Sequence, residues 1–405
     1  MKREMKRIAW LTGGLAAVTL LLALQWVVRV KRHVVPQIRA IWVTRFEYSV
    51  PEDVSRIISN VAAAGFTDVF FQVRGNGTVY FKSALEPWAF ELSGEEVSLL
   101  GRDPGWDPLQ RAIDEADGTG LRIHAYMNVL PGWKGLEDPP AAAGQLWSEH
   151  PDWFMVDSLG FRMRPTSGWY AFVNPVIPEV RQHLEGIVDE LCRYDVAGIH
   201  LDYIRYPHDY RIVASQHYPD ATDEEILQHS DFSYDPVSLG MLAELFGPEV
   251  SKEQITEFRC DSVTRVVESI SRVMLKDRPD GCLLSASVMG NPVEGKHYAY
   301  QDSGLWIRAG LVDWAVQMNY GTTSFAPNLK AIRRVAGRRG FRNSVVVGIY
   351  GENDPEELLR QIDEVQQSGC RGLAFFSYSY LFDEDHRMTD KGRLLLPKLR
   401  PEIAQ

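Results

Sequence analysis

Cysteine is scarce. The 405 residues hold four, Cys192, Cys260, Cys282 and Cys370, with no Cys-x-x-Cys pair and no histidine at metal-ligand spacing. That pattern excludes a zinc ribbon or a disulfide framework as the basis of the fold and makes buried free thiols the expected state. A single disulfide in an exported chain is the alternative. Basic charge is in deficit as well: 43 Lys and Arg stand against 54 Asp and Glu, for a formal net charge of −11. Nucleic acid is therefore set aside as a partner, because phosphate binding needs a basic face. The chain carries neither a Walker-type phosphate loop nor a Gly-x-Ser-x-Gly elbow. Short-period repeats and low-complexity linkers are also missing.

Charge is wholly missing from Ile8 to Val28 (IAWLTGGLAAVTLLLALQWVV). As a helix rising ~1.5 Å per residue, this run would cross a bilayer core. Lys2, Arg3, Lys6 and Arg7 precede it, so a start with those charges inside is expected. Arg29, Lys31 and Arg32 follow it. No cysteine near its end marks a lipoprotein signal, and Ala23-Leu24-Gln25 is a poor cleavage site. The expectation is an uncleaved signal anchor, with a removed signal peptide as the alternative. On this reading residues 1–7 are a basic cytoplasmic end, 8–28 a transmembrane helix, 29–37 a linker and 38–405 one folded domain. That domain would lie outside the cytoplasm, in the cell envelope or secreted if the signal is cut.

From residue 38 onward, short apolar runs alternate with amphipathic stretches. Strands are expected at 38–46, 67–73, 121–128, 198–203, 282–288, 313–319, 344–349 and 372–378. Helices are expected at 51–64, 108–116, 178–193, 255–276, 305–309, 328–336, 355–367 and 391–399. Asp107 before Pro108 and Asp354 before Pro355 read as helix N-caps. In the third helix Val180, Leu184, Ile187, Val188 and Leu191 recur at helical spacing. Eight such pairs fit a (β/α)₈ TIM barrel. An open doubly wound sheet would carry a glycine-rich turn after strand one, where this chain has Glu47-Tyr48-Ser49-Val50-Pro51. Long inserts at 75–107, 130–177 and 208–254 fall in strand-to-helix connections, which face the active site of a barrel. The first two hold Trp88, Trp106, Trp133, Trp147, Trp153 and Trp169, which would either stack on sugar rings or pack a subdomain over the barrel.

The C-terminal ends of the expected strands gather polar side chains. Val196-Ala-Gly-Ile-His-Leu-Asp-Tyr-Ile-Arg-Tyr-Pro207 is the most pointed: an apolar strand that stops at Asp202, two aromatics and an arginine. Asp202 is the leading candidate for a catalytic carboxylate; its plain alternative is a turn-fixing acceptor. Glu47, Arg74, His124, Tyr126, Asn128, His200, Tyr203, Arg205, Gln317, Tyr320, Tyr350 and Glu352 end or follow other strands. Amides, phenols and guanidinium groups of this kind suit a hydroxyl-rich ligand. Strand one is not followed by His-x-His, and no strand ends in a lysine. Those gaps remove a metal-dependent amidohydrolase and a Schiff-base enzyme from consideration. Glycoside hydrolysis needs two carboxyl groups flanking the bond. Asp202 is one; Glu352, after strand seven, is read as the general acid, with Glu47 the next choice. Arg205 and Arg74 would hold Asp202 ionised.

Eight segments resemble the glycosyl hydrolase-like 10 family of bacterial envelope barrels. They are Arg39–Val43, Gly65–Arg74, Leu85–Trp88, Gly105–Leu109, Leu121–Asn128, His150–Phe154, Asn174-Pro175 with Pro178–Arg181, and Tyr194–Tyr203. Their order and spacing agree over about residues 38–207, and Val312–Tyr320 is the best match beyond. The resemblance implies a (β/α)₈ barrel, an exported or envelope-attached protein and hydrolysis of glycosidic bonds, with cell-wall glycan strands as the substrate of some members. Carried over by position, Asp202 is the acidic residue of strand four, and Arg74, Glu86, Asn128 and His200 are lining or loop-fixing residues. Members often place a second acid directly after the strand-four aspartate, where this chain has Tyr203.

The expected function is thus a glycoside hydrolase acting on a polysaccharide, with Asp202 and Glu352 catalytic. Glu47, Arg74, Asn128, His200, Tyr203, Arg205, Gln317, Tyr320, Trp88 and Trp133 would bind substrate. No metal and no organic cofactor is called for, and the partners are carbohydrate and, through the N-terminal helix, membrane. The alternative is a non-catalytic glycan-binding or scaffold protein on a degenerate barrel; a lyase would be recognised by unsaturated products.

Overall fold

The computed structural model describes residues 38–277 and 281–399. The expected span at 8–28, its basic flanks and the linker lie outside the described residues. Among the described residues no helix is long and apolar enough to cross a membrane.

Eight strands of five to seven residues form the barrel: β1 (Ile38–Val43), β2 (Asp68–Arg74), β3 (Arg122–Asn128), β4 (Gly198–Asp202), β5 (Leu283–Met289), β6 (Trp314–Met318), β7 (Val345–Tyr350) and β8 (Gly372–Phe376). Each pairs in parallel with the next, and β8 returns to β1, closing the sheet. The principal helices that follow them are α1 (Pro51–Ala63), α2 (Pro108–Ala116), α3 (Pro178–Leu191), α4 (Lys252–Asp277), α5 (Ser303–Ala309), α6 (Phe325–Ser344), α7 (Pro355–Ser368) and α8 (Asp390–Leu399). This is the (β/α)₈ architecture expected from the alternation.

Local chemistry explains most boundaries. The Asp107 carboxylate accepts from the Gln110 amide at 3.0 Å and starts α2. Asp354 stands at the N-cap of α7, but its side chain makes no capping bond. The apolar stripe of α3 is buried as its spacing implies. The helix expected at 328–336 starts earlier, at Phe325, and ends where expected: Gly337 is non-helical, and a second short helical segment runs on from it to Ser344, the two together being α6. Gly337, at φ 68° and ψ 168°, interrupts the helix and turns the chain into the second segment.

The barrel interior is packed and partly polar. Ile38, Ala40, Trp42, Phe70, Tyr126, Trp314, Val316, Val346 and Ala374 form one buried cluster. Histidines complete it. His200 stacks on Phe70 at 4.0 Å, accepts at Nε2 from the Trp42 indole at 3.0 Å and bonds Ser285 through Nδ1 at 2.8 Å. His124 bonds Asp68 at 2.8 Å. A Cβ on Gly198 would lie 2.3 Å from His124 Nδ1, so only glycine leaves room for that ring.

The inserts build the mouth. Residues Pro131–Lys134 and Tyr170–Phe172 pair as an antiparallel ribbon above β3. Short helices at Tyr210–His217, Asp223–Gln228 and Pro236–Phe246 fill the connection after β4. All six tryptophans of the first two inserts pack against the main core: Trp133 and Trp147 are buried, and Trp88, Trp106, Trp153 and Trp169 are partly buried. The subdomain reading therefore describes this group better than a stacking rim. All four cysteines are free thiols, as expected.

Candidate active site

Asp202 is the last residue of β4, where the strand opens into the mouth. Its side chain is 9 % exposed, and the carboxylate accepts from three directions. The Tyr126 phenol donates to Oδ2 at 3.1 Å; the Tyr203 amide and Arg205 Nη1 donate to Oδ1 at 2.6 and 3.1 Å. Tyr203 reaches this geometry by adopting φ 49°, a left-handed conformation that is costly for a side chain with a Cβ. Its ring meanwhile packs edge-on to Tyr170 at 5.3 Å and to Phe172 at 6.0 Å, under the insert ribbon. Burial would discharge Arg205, but the neighbouring Asp202 more than offsets this and raises its pKa. Burial, and then the charge of Asp202, push the Tyr126 phenol well above its usual range, so it remains a donor. Asn128, level with Asp202 in the β3–β4 ladder, is buried, and its Oδ1 has no partner among the described residues.

An aromatic wall rises from β6 to β8. Tyr320 stacks with Tyr350 at 5.3 Å and with Phe376 at 5.8 Å, and the Tyr350 and Tyr380 hydroxyls bond at 3.1 Å. Tyr320 is close enough to Asp202 that, after burial, the aspartate's charge raises its pKa. The mouth thus sets a carboxylate with three donors against flat aromatic faces.

The two other acids differ. Glu352 is exposed after β7 and hydrogen-bonds the Tyr350 phenol, pushing that phenol's pKa up. Glu47 follows β1 and accepts from the Ser379 amide at 2.9 Å, the Ser377 hydroxyl at 3.1 Å and the Thr44 amide. Burial raises its pKa against the pull of these donors. It bolts the first mouth loop to the last and lines a cavity of about 1030 Å³ with Arg45, Phe46 and His386.

Five expected lining residues are engaged elsewhere. Arg74 is fully buried and does not reach Asp202. It forms a two-pronged pair with Glu86 at 2.8 and 2.6 Å and donates to the carbonyls of Asn128, Val129 and Pro131. It fixes loops, the other role its position implied. His200 lies inside the barrel. Gln317 points outward, donating to the carbonyls of Gly290 and Asn328 at 2.7 and 3.0 Å. The period-2 alternation places Val316 inside and Gln317 outside, a check that strand-end position alone does not make. Trp133 is 3 % exposed, and Trp88 rests on the core. Conversely, Tyr126, Tyr350, Phe376 and Tyr380 join the site. Tyr126, already among the strand-end residues, shares the inward parity of His124 and lies two residues before the end of β3, which is the signal that assigns it to the site.

A closed (β/α)₈ barrel with a hydrogen-bonded carboxylate and an aromatic wall at its C-terminal mouth has the architecture of glycosidase-type proteins. The chain belongs to the glycosyl hydrolase-like 10 family, whose sequence model matches residues 37–353. It is 24 % identical over 366 residues to the glycosyl hydrolase YngK of Bacillus subtilis, covering 79 % of this chain and 62 % of that protein. It is 32 % identical over 158 residues to the glycosyl hydrolase DigH of Escherichia coli, covering 36 % of this chain and 32 % of DigH. The chain therefore spans less than two thirds of these curated relatives. Among solved structures, the catalytic domain of β-amylase from Paenibacillus polymyxa superposes with a TM-score of 0.63 at 10 % identity, over 90 % of this chain and 98 % of that one. That likeness is one of fold.

Proposed function

We propose that the protein is a glycoside hydrolase of the bacterial cell envelope, held there by residues 8–28 and acting on a polysaccharide, with cell-wall glycan as the substrate class. The observation that carries this reading is the Asp202 carboxylate, held by Tyr126, the Tyr203 amide and Arg205 and set close to Tyr320 in the aromatic wall. A sugar ring stacked on Tyr320 would present its anomeric carbon to a negative charge. Asp202 then acts as nucleophile or stabilises the oxocarbenium-like transition state, while Glu352 protonates the leaving oxygen. The half-buried Glu47 is its rival for that proton. A carboxyl separation of about 5–5.5 Å makes the reaction retaining, and ~6.5–9.5 Å makes it inverting.

The test measures reducing ends released from purified sacculi and from a panel of polysaccharides. Asp202→Asn should lower cleavage on the order of 10³-fold while retaining binding. Glu352→Gln should lower it comparably on substrates with poor leaving groups, and Glu47→Gln should not. A second reading, a glycan-binding protein, draws on Tyr203, which fills the position after Asp202 with a ring packed into the ribbon. A parent protein that binds glycans yet cleaves none would establish it.

A further inference from the structure

The chain is acidic overall, yet no Asp or Glu occurs between Asp313 and Glu352. Within that stretch Lys330, Arg333, Arg334, Arg338, Arg339 and Arg342 all lie exposed on α6. None of the six forms an ion pair with a described residue. Arg333 instead lies over the Phe341 ring, 5.6 Å from its centroid, where the kink at Gly337 brings the two halves of the helix together. Six uncompensated cations on one element of a protein with net charge −11 form a concentrated positive patch.

Its place in the barrel is specific. Helix α6 runs down the outside and delivers Ser344 to the start of β7, so Arg338, Arg339 and Arg342 end at the face opposite the mouth. At that face Ile38 pairs with Gly372, and Gly372 pairs with Val346. Two strand spacings of ~4.8 Å therefore separate Ile38 from Val346, only four residues beyond Arg342. Nine residues, 29–37, connect Ile38 to the uncharged run at 8–28, a reach of at most ~32 Å. They include Arg29, Lys31 and Arg32.

We propose that Arg338, Arg339 and Arg342, at the end of α6 opposite the mouth, dock on an anionic phospholipid surface and set the barrel upright, with its mouth directed away from the bilayer. This inference rests on the reading of residues 8–28 as a membrane anchor. The tether brings the patch within reach of the headgroups, and clustered Lys and Arg beside a membrane are drawn to anionic lipid. Docking lifts Asp202 to the far end of the barrel, toward material beyond the membrane.

The full chain is reconstituted into nanodiscs of phosphatidylcholine, alone or with about 30 % phosphatidylglycerol, and arginine-selective dicarbonyl labelling is read peptide by peptide. Labelling of Arg338, Arg339 and Arg342 should fall about five-fold in the anionic discs and recover at ~0.5 M salt. Arg211, exposed in the insert after β4, serves as a control and should not change. The paired Arg338→Glu and Arg339→Glu variant should remove the lipid dependence while leaving cleavage and thermal midpoint as in the parent. Equal labelling in both discs overturns the proposal, as does protection by soluble polyglycerol phosphate without protection by phosphatidylglycerol. Failure of the chain to enter either disc defeats the anchor reading separately. Co-sedimentation with vesicles then decides the face: about ten-fold preference for phosphatidylglycerol supports docking, and no preference overturns it.

Discussion

Asp68 and Asp202 are the same residue at the two ends of one barrel. Asp68 opens β2 at the closed end and is fully buried, with His124 at 2.8 Å, Arg122 at 2.9 Å and Thr67 at 2.6 Å. Burial would raise its pKa, but the bonds and charges of His124 and Arg122 win, and it is lowered. Asp202 closes β4 at the mouth, held by one cation, one phenol and one amide. At the closed end short helix-to-strand turns leave no space beside the carboxylate, so its charge is used to hold strands together. At the mouth the long inserts supply aromatic faces and room, so a similar charge is left facing a place where a ligand fits.

The largest effects come from exchanging these two groups for amides. Asp202→Asn should lower glycan cleavage on the order of 10³-fold and lower the thermal midpoint as well, because the buried Arg205 loses its counter-charge. Asp68→Asn should cost stability alone: it falls by about 1–3 kcal/mol because the buried carboxylate's hydrogen bonds to His124, Arg122 and Thr67 are weakened, and the folded fraction cleaves at the parental rate. Urea unfolding and reducing-end assays on both variants check this. Loss of cleavage without loss of stability in Asp68→Asn would break the contrast between the two ends.

Glu86 extends the contrast to the inserts. Burial opposes its charge, but Arg74 and His183 bring its pKa down to about 2 from an ordinary 4.5. A carboxyl whose folded pKa is depressed stabilises the fold above its unfolded value. That contribution, about 3 kcal/mol, disappears as pH falls from about 4.5 toward 2. Glu86→Gln should flatten this acid limb of the stability curve, measured by denaturant midpoint against pH. An unchanged limb would mean that the Arg74–Glu86 pair does not hold the second insert.

Smaller effects sharpen the mouth itself. Tyr126→Phe removes one donor to Asp202 and should lower kcat about ten-fold with KM unchanged, the scale of a hydrogen bond to a charged group. Tyr320→Ala should raise KM up to about ten-fold with little change in kcat, in line with the loss of one aromatic contact. Trp133→Phe should move neither constant and should only lower the thermal midpoint, since Trp133 is buried in packing.

The fold was readable because each strand is a short apolar run and each helix carries its own periodicity and start signals. The agreement extends to Asp107 at the start of α2 and Val180 to Leu191 along α3. At α6 the glycine inside the basic stretch does end the expected helix, and what spacing did not announce is the second short segment that follows it to Ser344. The site was harder to read. Asp202 stands out because an apolar strand stops at it. Arg74, His200 and Gln317 occupy comparable strand positions, and their roles depend on which neighbour their polar atoms reach: Glu86, the Trp42 indole with Ser285, or the carbonyls of Gly290 and Asn328.

Periodicity, capping residues and loop length are local properties. Sequence alone therefore determined that this chain would close eight β/α units around a core and place Asp202 at the open end, beneath long inserts. Which donors surround that aspartate, which tryptophans are sealed away and which tyrosines form the wall were decided by tertiary structure. Those outcomes depend on side-chain direction and on contacts between segments as distant as Trp42 and His200, 158 residues apart, and spacing along the chain does not encode them.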